Sequence, residues 1–438
     1  MPPTDLMYMA AVAEQVCKSC KIKDYSLNGE TIEDFKNDIK DFAPDYLVIN
    51  VTTTTLFADL AVCQAAKEIK PDIITIAKGA HFLTFNTKVL EEFPFLDLVM
   101  RGEPEITLKE IVEGKNWEEI SGLTYRKDGL CINNPDREFL EDLDSLPYPA
   151  RHLIDNSIYT RPDNGKIQAV IKVSRGCPFH CFFCLATPVS GKKVRKRSPE
   201  NIVGEIKECV EKHSITNFLF WSDIFNIDRQ WVIDLCNEII NSGLKITWGS
   251  NTRADTADLE MANLMYKAGC RLVSIGVESG SQEMLNKMGK KTNLTQIKNT
   301  IKIFKKAKIK IYNYFVLGLP WETEETAEAT IKFAIELNSD FVNFYTAAAF
   351  PGSRFYDYVL ENNLFETQNN DELYKSAYYY PTVKSHVLSK DRIFQLHKQA
   401  IKRFYLRPAY ILRMLAGIRS FYQLKNYFEA GMSVLFKK

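Results

Sequence analysis

Apolar and polar positions alternate along the first hundred residues with two different periods. Apolar side chains at helical spacing predict helices at 5–16 and 31–42, and a third helix that ends near Lys70. Short apolar runs predict strands at 21–26, 45–51, 72–77 and 96–100. Strands separated by helices favour a doubly wound α/β fold with a parallel sheet, whose ligands bind at the carboxyl ends of the strands. We therefore predict a first domain at 1–115.

The next stretch, 116–165, is predicted to be a connector. Residues 120–125 and 130–133 form a predicted hairpin, because the Asp128-Gly129 pair between them favours a tight turn. Two prolines within 146–151 indicate extended backbone at the end of the connector.

From residue 167 the alternation of strand and helix resumes and repeats six times. The predicted strands lie at 167–175, 217–222, 245–250, 271–277, 311–317 and 341–346. The predicted helices lie at 199–211, 228–241, 256–268, 294–307 and 323–337. We predict a second α/β domain at 166–390, followed by a helical tail at 391–438.

Composition narrows the class of protein without deciding its function. The chain has 438 residues, of which 45% are hydrophobic and 25% charged, an ordinary globular balance for two or three domains. A net charge of +1 disfavours nucleic acid as a partner. No apolar run reaches the roughly 18 residues of a spanning helix, and no signal peptide is recognisable. Ten cysteines then indicate reduced thiols, and we expect a cytoplasmic protein.

Three cysteines carry the clearest chemical signal. Cys177, Cys181 and Cys184 have the spacing C-x3-C-x2-C and directly follow a predicted strand. Three thiolates on a four-iron cube leave one iron open to a ligand that is not protein. The alternatives are a zinc knuckle or three unrelated core thiols. Zinc sites usually take a fourth Cys or His at regular spacing, and His180 lies inside the loop.

This spacing resembles the signature of the radical S-adenosylmethionine (radical SAM) enzymes. The resemblance implies a [4Fe-4S] cluster whose open iron chelates S-adenosylmethionine, and one-electron cleavage to a 5′-deoxyadenosyl radical. It implies that Phe183 packs against the adenine, and that an external electron donor such as flavodoxin or ferredoxin is needed. It also implies that the six strand–helix units form a partial (β/α)6 barrel with its active residues at the strand carboxyl ends.

Segments after the later strands resemble the family's S-adenosylmethionine-binding motifs. The resemblance implies that Asp223 binds the methionine ammonium and that Arg253 pairs with the methionine carboxylate. It assigns Glu278 to the ribose hydroxyls or the amino group, and Gly318 and Pro320 to the adenine. Taken singly, each acid is more typical of a helix cap or an exposed surface, and each glycine or proline of a turn.

The first domain resembles the cobalamin-binding domain, a flavodoxin-like or Rossmann-like fold found upstream of one large group of radical SAM enzymes. The motifs that carry the resemblance are Pro2-Pro3-x-x-Leu6-Met7-Tyr8-Met9-Ala10, Pro44-Asp45-Tyr46-Leu47-Val48-Ile49, Lys78-Gly79-Ala80-His81 and Arg101-Gly102-Glu103-Pro104-Glu105. The resemblance implies that Thr52, Thr53, Gly79 and His81 meet the cobalamin. The family's first strand, ahead of Pro2-Pro3, is missing here. Either the start codon is misplaced, another segment fills the gap, or the domain no longer binds cobalamin.

The group includes class B methylases and the anaerobic porphyrin-ester cyclase. We therefore predict an enzyme that modifies, by methylation, an unactivated carbon of a small molecule such as a lipid-like compound or a tetrapyrrole. One alternative is a radical SAM oxidoreductase or cyclase that does not use cobalamin. An alternative of another class is an iron–sulfur electron carrier or sensor, which would not cleave S-adenosylmethionine.

Three further features have two or more interpretations. Cys17 and Cys20 are two incidental thiols, a redox pair or half a metal site. The basic run 192–197 is a solvated face, or it offsets cluster charge or meets an acidic substrate. The aromatic, basic tail either packs on the barrel or makes peripheral contact with a membrane.

Overall fold

Two mainly parallel sheets, one in each half of the chain, organise the fold. The computed structural model describes residues 1–27, 29–161, 163–367 and 380–436. Within these ranges the first half holds a five-stranded sheet, and the second half holds a six-stranded sheet with a small two-stranded ladder. Among the described residues, no helix combines the length and the apolar character needed to cross a membrane.

The first sheet has the strand order β1-β2-β3-β4-β5. Its strands are β1 (Tyr46–Asn50), β2 (Ile74–Lys78), β3 (Leu98–Met100), β4 (Leu123–Lys127) and β5 (Leu130–Asn133). The helices of this half are α1 (Thr4–Ala13), α2 (Ile32–Phe42), α3 (Leu56–Ile69), α4 (Phe82–Glu92) and α5 (Glu105–Val112). The first three strands are parallel, as predicted, and the hairpin β4–β5 adds to β3 in the antiparallel sense.

The strand predicted at 21–26 is wrong. The first sheet ends at β1, so this segment has no neighbouring strand to satisfy its backbone groups. Its side chains instead bind α2: Lys21 Nζ lies 2.5 Å from Asp38 Oδ1, and the Tyr25 hydroxyl donates to Asp38 Oδ2 at 2.9 Å.

The predicted hairpin is confirmed, but it belongs to the first sheet. Asp128 and Gly129 have φ of 50° and 79°, as a tight two-residue turn requires. Short 3₁₀ helices complete this part of the chain, at Trp117–Glu119, Leu143–Ser145, Arg151–Leu153 and Asn156–Ile158. The division of the chain at residues 115, 165 and 390 stays a prediction.

The second sheet confirms all six predicted strands. They are β6 (Gln168–Lys172), β9 (Asn217–Trp221), β10 (Thr247–Thr252), β11 (Cys270–Glu278), β12 (Lys310–Leu317) and β13 (Phe341–Thr346). Every neighbouring pair is parallel, in the order β13-β12-β11-β10-β9-β6. The end strands β6 and β13 do not pair within the described residues, so the barrel is open.

Five described helices of this half pack on the sheet of the open barrel, and three shorter ones follow strand ends. In chain order they are α6 (Ala186–Ser190), α7 (Pro199–His213), α8 (Arg229–Asn241), α9 (Leu259–Lys267), α10 (Gln282–Lys287), α11 (Leu294–Lys306), α12 (Glu324–Leu337) and α13 (Arg354–Glu361). The shorter ones are α6, α10 and α13. The two-stranded ladder consists of β7 (Ser174–Arg175) and β8 (Arg195–Lys196). The core between sheet and helices is apolar, and Trp248 stacks on Phe220 at 4.6 Å between ring centroids.

Three helices form the described part of the tail after residue 389: α14 (Lys390–Tyr405), α15 (Pro408–Ala416) and α16 (Phe421–Phe436). α14 packs on the barrel, as one of the two interpretations of the tail predicts. Phe404 is fully buried, and the Tyr405 hydroxyl donates to the backbone carbonyl of Val342 in β13 at 2.5 Å.

Buried polar contacts, among them two that join the halves of the chain, involve two arginines of the basic run 192–197. Arg195 donates to Glu103 at 2.8–2.9 Å, and Arg197 donates to Glu205 at 2.5 Å and to the hydroxyl of Tyr8 at 3.2 Å. Both arginines are buried, so the interpretation of a solvated face is wrong for them. Each carboxylate has a second arginine partner, Arg175 for Glu103 and Arg151 for Glu205, so these contacts form buried networks rather than isolated pairs.

Candidate functional site

The cysteine loop begins at the carboxyl end of the second sheet, directly after β7. Gly176 starts the loop with φ of 99°, and a Cβ there would lie 2.0 Å from the carbonyl oxygen of Lys193. Only glycine fits this close, left-handed position. The Gly176 N–H donates to Asp223 Oδ2 at 2.7 Å, so Asp223, which follows β9, holds the start of the loop.

Backbone hydrogen bonds fix the rest of the loop. The Thr187 hydroxyl bonds to the carbonyl oxygens of Cys177 and Phe179, at 3.2 and 2.9 Å. The N–H of Cys177 donates to the Gly191 carbonyl at 3.0 Å, and the N–H of Phe182 donates to the Met288 carbonyl at 2.9 Å. These hydrogen bonds therefore hold the loop on both sides, and none of them involves a cysteine sulfur.

The three thiols lie on the accessible side of this frame. Cys177 and Cys181 are half-buried and Cys184 is exposed. Burial raises the pKa of the Cys177 thiol above its ordinary value, and nearby Cys181 raises it further, so a metal centre would have to displace protons on binding.

The loop supplies three thiol donors. A structural zinc site takes four protein ligands, whereas a catalytic zinc site takes three and keeps one position open. In a four-iron cube each thiolate binds a different iron, so the sulfurs lie around the cluster rather than around one ion. The three-thiolate donor set on a pinned loop fits the cube.

Arg253, at the end of β10, lies under the loop. Its guanidinium is 3.6 Å from the centre of the Phe179 ring, and Nη2 donates to Asp255 at 3.0 Å and to the backbone carbonyl of Lys290 at 2.6 Å. Arg253 therefore already has a carboxylate partner, and its stacking supports the cysteine loop.

Glu278 ends β11 in a left-handed conformation, with φ of 67°, where the pairing of β11 with β12 shifts register. Its Oε1 lies 2.7 Å from Nζ of Lys290, and both side chains are buried. A Cβ on Gly276 would approach that oxygen to 2.3 Å, so glycine makes room for the pair. Burial favours the neutral amine, but Glu278 and Cys181 outweigh it and raise the pKa of Lys290.

The motif after β12 is buried against the segment that leads to the tail. Gly318 has φ of 85°, and its N–H donates to Glu322 Oε2. A Cβ at position 318 would lie 2.7 Å from Ile393 in α14, and the carbonyl of Pro320 accepts from the Ser385 hydroxyl at 3.1 Å. Burial raises the pKa of Glu322 to about 8.

Phe183 packs in an apolar cluster at the same end of the barrel. The buried members of this cluster are Met284, Met288, Leu319, Ala347, Ala349, Phe355, Tyr356, Val359, Leu364 and Val383. They follow β11, β12 and β13, so the last turn of the cysteine loop rests on the loops of three strands.

The residues predicted to meet cobalamin come together at the carboxyl ends of β1 and β2. Thr52 and Thr53 follow β1, and Gly79 and His81 follow β2. Oγ1 of Thr53 lies 3.3 Å from Nδ1 of His81. A Cβ on Gly79 would lie 2.1 Å from the carbonyl oxygen of Val51, so the two loops touch through their backbones. Burial lowers the pKa of His81 to about 4, and its imidazole is therefore neutral at pH 7.

The first half of the chain reaches the cysteine loop through α4. The ring centres of Phe85 in α4 and Tyr356 in α13 are 5.9 Å apart. A Cβ on Gly352 would lie 3.3 Å from the Thr84 hydroxyl and 3.5 Å from Leu185, the residue after the last cysteine. The helix after β2 and the cysteine loop thus meet at one barrel loop.

The sequence interpretation missed Lys290 and Glu322. Lys290 lies between α10 and α11, away from any strand end, and only its charge after Gly289 could have indicated a role. Glu322 lies two residues after Pro320, but its burial could not be read from the sequence.

Comparisons with known proteins find relatives of both halves of the chain. The family model of the radical SAM superfamily matches residues 171–334, and that of the B12 binding domain matches residues 1–112. The chain is 32% identical to an uncharacterized methyltransferase of Pyrococcus horikoshii, over 94% of this chain and 89% of that protein. It is 27% identical to the anaerobic magnesium-protoporphyrin IX monomethyl ester cyclase of Rubrivivax gelatinosus, over 94% of this chain and 75% of that protein.

Solved structures share the fold. The cobalamin-dependent S-adenosylmethionine radical enzyme OxsB, with aqua-cobalamin and S-adenosylmethionine bound, aligns with a TM-score of 0.78 at 17% identity, over 98% of this chain and 68% of that one. The radical S-adenosylmethionine methyltransferase TsrM of Kitasatospora setae aligns with a TM-score of 0.70 at 18% identity, over 82% of this chain and 75% of that one. This chain belongs to the radical SAM superfamily, in the group whose members carry an N-terminal B12 binding domain.

Proposed function

We propose that this protein is a cobalamin-dependent methyltransferase that acts on an unactivated carbon of a small molecule. The proposal rests on one observation: α4 and the cysteine loop both lie next to Gly352. This contact brings the loops predicted to meet cobalamin and the loop predicted to hold the cluster to one end of the barrel. Methyl transfer that uses both groups needs this closeness, because reacting atoms must lie within contact distance.

Cys177, Cys181 and Cys184 would hold a [4Fe-4S] cluster and leave one iron for S-adenosylmethionine. With the cluster bound, the site supplies one-electron reduction of S-adenosylmethionine, which is chemistry of the cofactor rather than of side chains. The contribution of this chain is to fix the loop through Gly176 and Asp223 and to cover it from the later strand loops.

Four polar groups beside the cysteine loop would position S-adenosylmethionine. Lys290 supplies a buried cation and Glu278 a buried anion, while Arg253 and Asp223 already brace the loop. A zwitterionic amino acid moiety needs one group of each sign, and Lys290 with Glu278 provides them. Phe183, Gly318 and Pro320 lie on the apolar side suited to an adenine.

Thr52, Thr53, Gly79 and His81 would contact the corrin. Hydroxyls and a neutral imidazole at the carboxyl end of parallel strands can donate to and accept from the amide groups at a corrin's edge. At Gly79 a side chain would collide with the Val51 carbonyl, so the loops after β1 and β2 keep their close backbone contact only with glycine there. We assign no axial ligand.

A second candidate function is ring formation without cobalamin. It is favoured by the match of 94% of this chain to a cyclase, at 27% identity. The substrate would then be a tetrapyrrole, whereas the methyltransferase proposal also admits a lipid-like compound. In either case we propose a cytoplasmic enzyme that receives its electron from a partner such as flavodoxin or ferredoxin.

Reduced protein, purified without oxygen and supplied with hydroxocobalamin, tests the proposal. We expect corrin absorbance to remain with the protein after desalting, and S-adenosylhomocysteine to form when S-adenosylmethionine is added. Thr53→Val with Gly79→Ala should lose the corrin but keep the iron. Protein that never retains a corrin while it cleaves S-adenosylmethionine would contradict cobalamin-dependent methyl transfer and favour the alternative without cobalamin, for which the cyclase match supports ring formation but says nothing of cobalamin. An electron carrier or sensor would cleave none.

A further inference from the structure

The end of the chain presents its apolar side chains to solvent. Nine of the 25 large apolar side chains that are exposed among the described residues fall within 411–435. The barrel and the first sheet, by contrast, bury most of theirs. An exposed apolar patch of this kind marks an interaction surface.

The helix α16 faces the rest of the protein with its more polar side. Its outward side chains recur at three- and four-residue intervals, which is one face of a helix: Phe421, Leu424, Phe428, Met432 and Leu435, between 40% and 81% exposed. The half-buried residues of α16 are Gln423, Asn426, Tyr427, Gly431, Ser433 and Val434. The more apolar side of α16 is therefore the side that the described part of the chain leaves uncovered.

The helix α15 continues this surface. Tyr410 is buried and its hydroxyl donates to the carbonyl of Asp340, which fixes α15 on the barrel. On its other side Ile411, Leu412 and Leu415 are 40%, 67% and 53% exposed. These three residues together with the five of α16 are the tail face.

Charge identifies what covers the tail face. From Arg407 to the end, the sequence contains six basic residues and one acidic residue, Glu429. The last two basic residues, at 437 and 438, lie outside the described residues. Glu429 is 3.9 Å from Lys425, so that acid is offset within α16. Arg407 and Arg413 donate to the backbone carbonyls of Ile335 and Ser339 in the barrel. The exposed cations of the described tail beside the tail face are therefore Arg419 and Lys425.

We propose that the tail face binds the surface of an anionic lipid bilayer, with α15 and α16 lying in the interface. Apolar side chains enter the boundary of the acyl chains, while Arg419 and Lys425 meet the headgroups, which is the pattern of a basic amphipathic helix. A second copy of this chain fits less well, because two tail faces in contact would oppose like charges.

Flotation of the intact protein with vesicles tests the proposal without any cofactor. We expect binding to vesicles of phosphatidylcholine with 30% phosphatidylglycerol, and at least ~10-fold weaker binding to phosphatidylcholine alone. Replacing two basic residues, Arg419→Gln with Lys425→Gln, should weaken binding on the order of 30-fold at low salt, at about 1 kcal/mol for each charge.

The double variant Phe421→Ser with Phe428→Ser should lower binding by at least ~10-fold. Leu130→Ser, at a 69% exposed position in the distant hairpin, is the matched control and should change nothing. Equal binding by the double variant and the parent would overturn the proposal, as would the absence of binding to either vesicle. A dimer seen by light scattering, dissolved by the two serines and indifferent to lipid, would assign the tail face to a second copy instead.

Discussion

Replacing Gly176 by alanine tests whether the shape of the cysteine loop, and not only its sulfurs, holds the cluster. The new Cβ would lie 2.0 Å from the carbonyl oxygen of Lys193, which is a backbone atom and cannot rotate away. One of the two segments must therefore move by about 1 Å. The hydrogen bonds that fix the start of the loop, from Gly176 to Asp223 and from Cys177 to Gly191, are then lost or stretched.

The loss of stability expected for Gly176→Ala is worked out against a matched control, Gly129→Ala. Gly129 also has positive φ, 79°, but a Cβ there meets nothing within 4 Å. Its cost is the left-handed conformation alone, roughly 1–2 kcal/mol. Gly176→Ala has the same cost and loses in addition at least one buried hydrogen bond, at about 1–3 kcal/mol, which totals about 2–5 kcal/mol.

The assay measures iron and sulfide per chain after anaerobic reconstitution, and thermal unfolding of the same samples. Gly129→Ala should bind as much iron as the parent and unfold within about 4–8 °C of it. Gly176→Ala should unfold at a still lower temperature and bind less than half as much iron while all three cysteines are present. A full iron complement in folded Gly176→Ala would refute the argument that the loop's backbone positions the thiolates.

Further predictions concern buried charge. Lys290→Met leaves Glu278 unpaired in the barrel and should destabilise the protein by about 3–5 kcal/mol in denaturant unfolding. The double variant Glu278→Gln with Lys290→Met should recover at least half of that loss yet still bind S-adenosylmethionine poorly in calorimetry; additive losses of stability would contradict the pairing. Arg197→Met should cost about 1–3 kcal/mol because buried Glu205 loses one of its two arginine partners and keeps Arg151, whereas Lys193→Met, at a 72% exposed side chain, should cost under about 1 kcal/mol. The raised pKa of Glu322, about 8, means that the folded state keeps a proton that the unfolded state releases near its ordinary value. Stability should therefore fall as pH rises from about 5 to 8 and level off above 8, and Glu322→Gln should abolish that part of the slope; an unchanged slope would show that Glu322 is ionised when folded.

The strands of the second sheet could be predicted because each is a short apolar run whose side chains are buried by its own neighbours. The role of the three cysteines could be predicted because their spacing lies within one short loop and does not depend on the rest of the fold. The segment 21–26 has the composition of a strand, but whether it becomes one depends on pairing with a neighbouring strand, and none of the described strands pairs with it. Local pattern contains no information about that neighbour.

The basic run 192–197 and Lys290 show the same limit of prediction from local sequence. Arg195 donates to Glu103, which is 92 residues away along the chain, and Arg197 donates to Tyr8, which is 189 residues away. Lys290 reaches Glu278 only because β11 ends in an irregular turn. Pairings of this kind arise from tertiary packing, so a charge that looks solvated in the sequence can be buried in the fold.

The central claim is that three thiolates of this chain leave one iron of a cube open to S-adenosylmethionine. Its most direct test is the amount of 5′-deoxyadenosine formed by anaerobically reconstituted, dithionite-reduced protein, compared with Cys177→Ala, Cys181→Ala and Cys184→Ala. We predict 5′-deoxyadenosine from the parent and none from any of the three variants. A parent that holds a complete cluster or zinc and forms no 5′-deoxyadenosine would contradict the account.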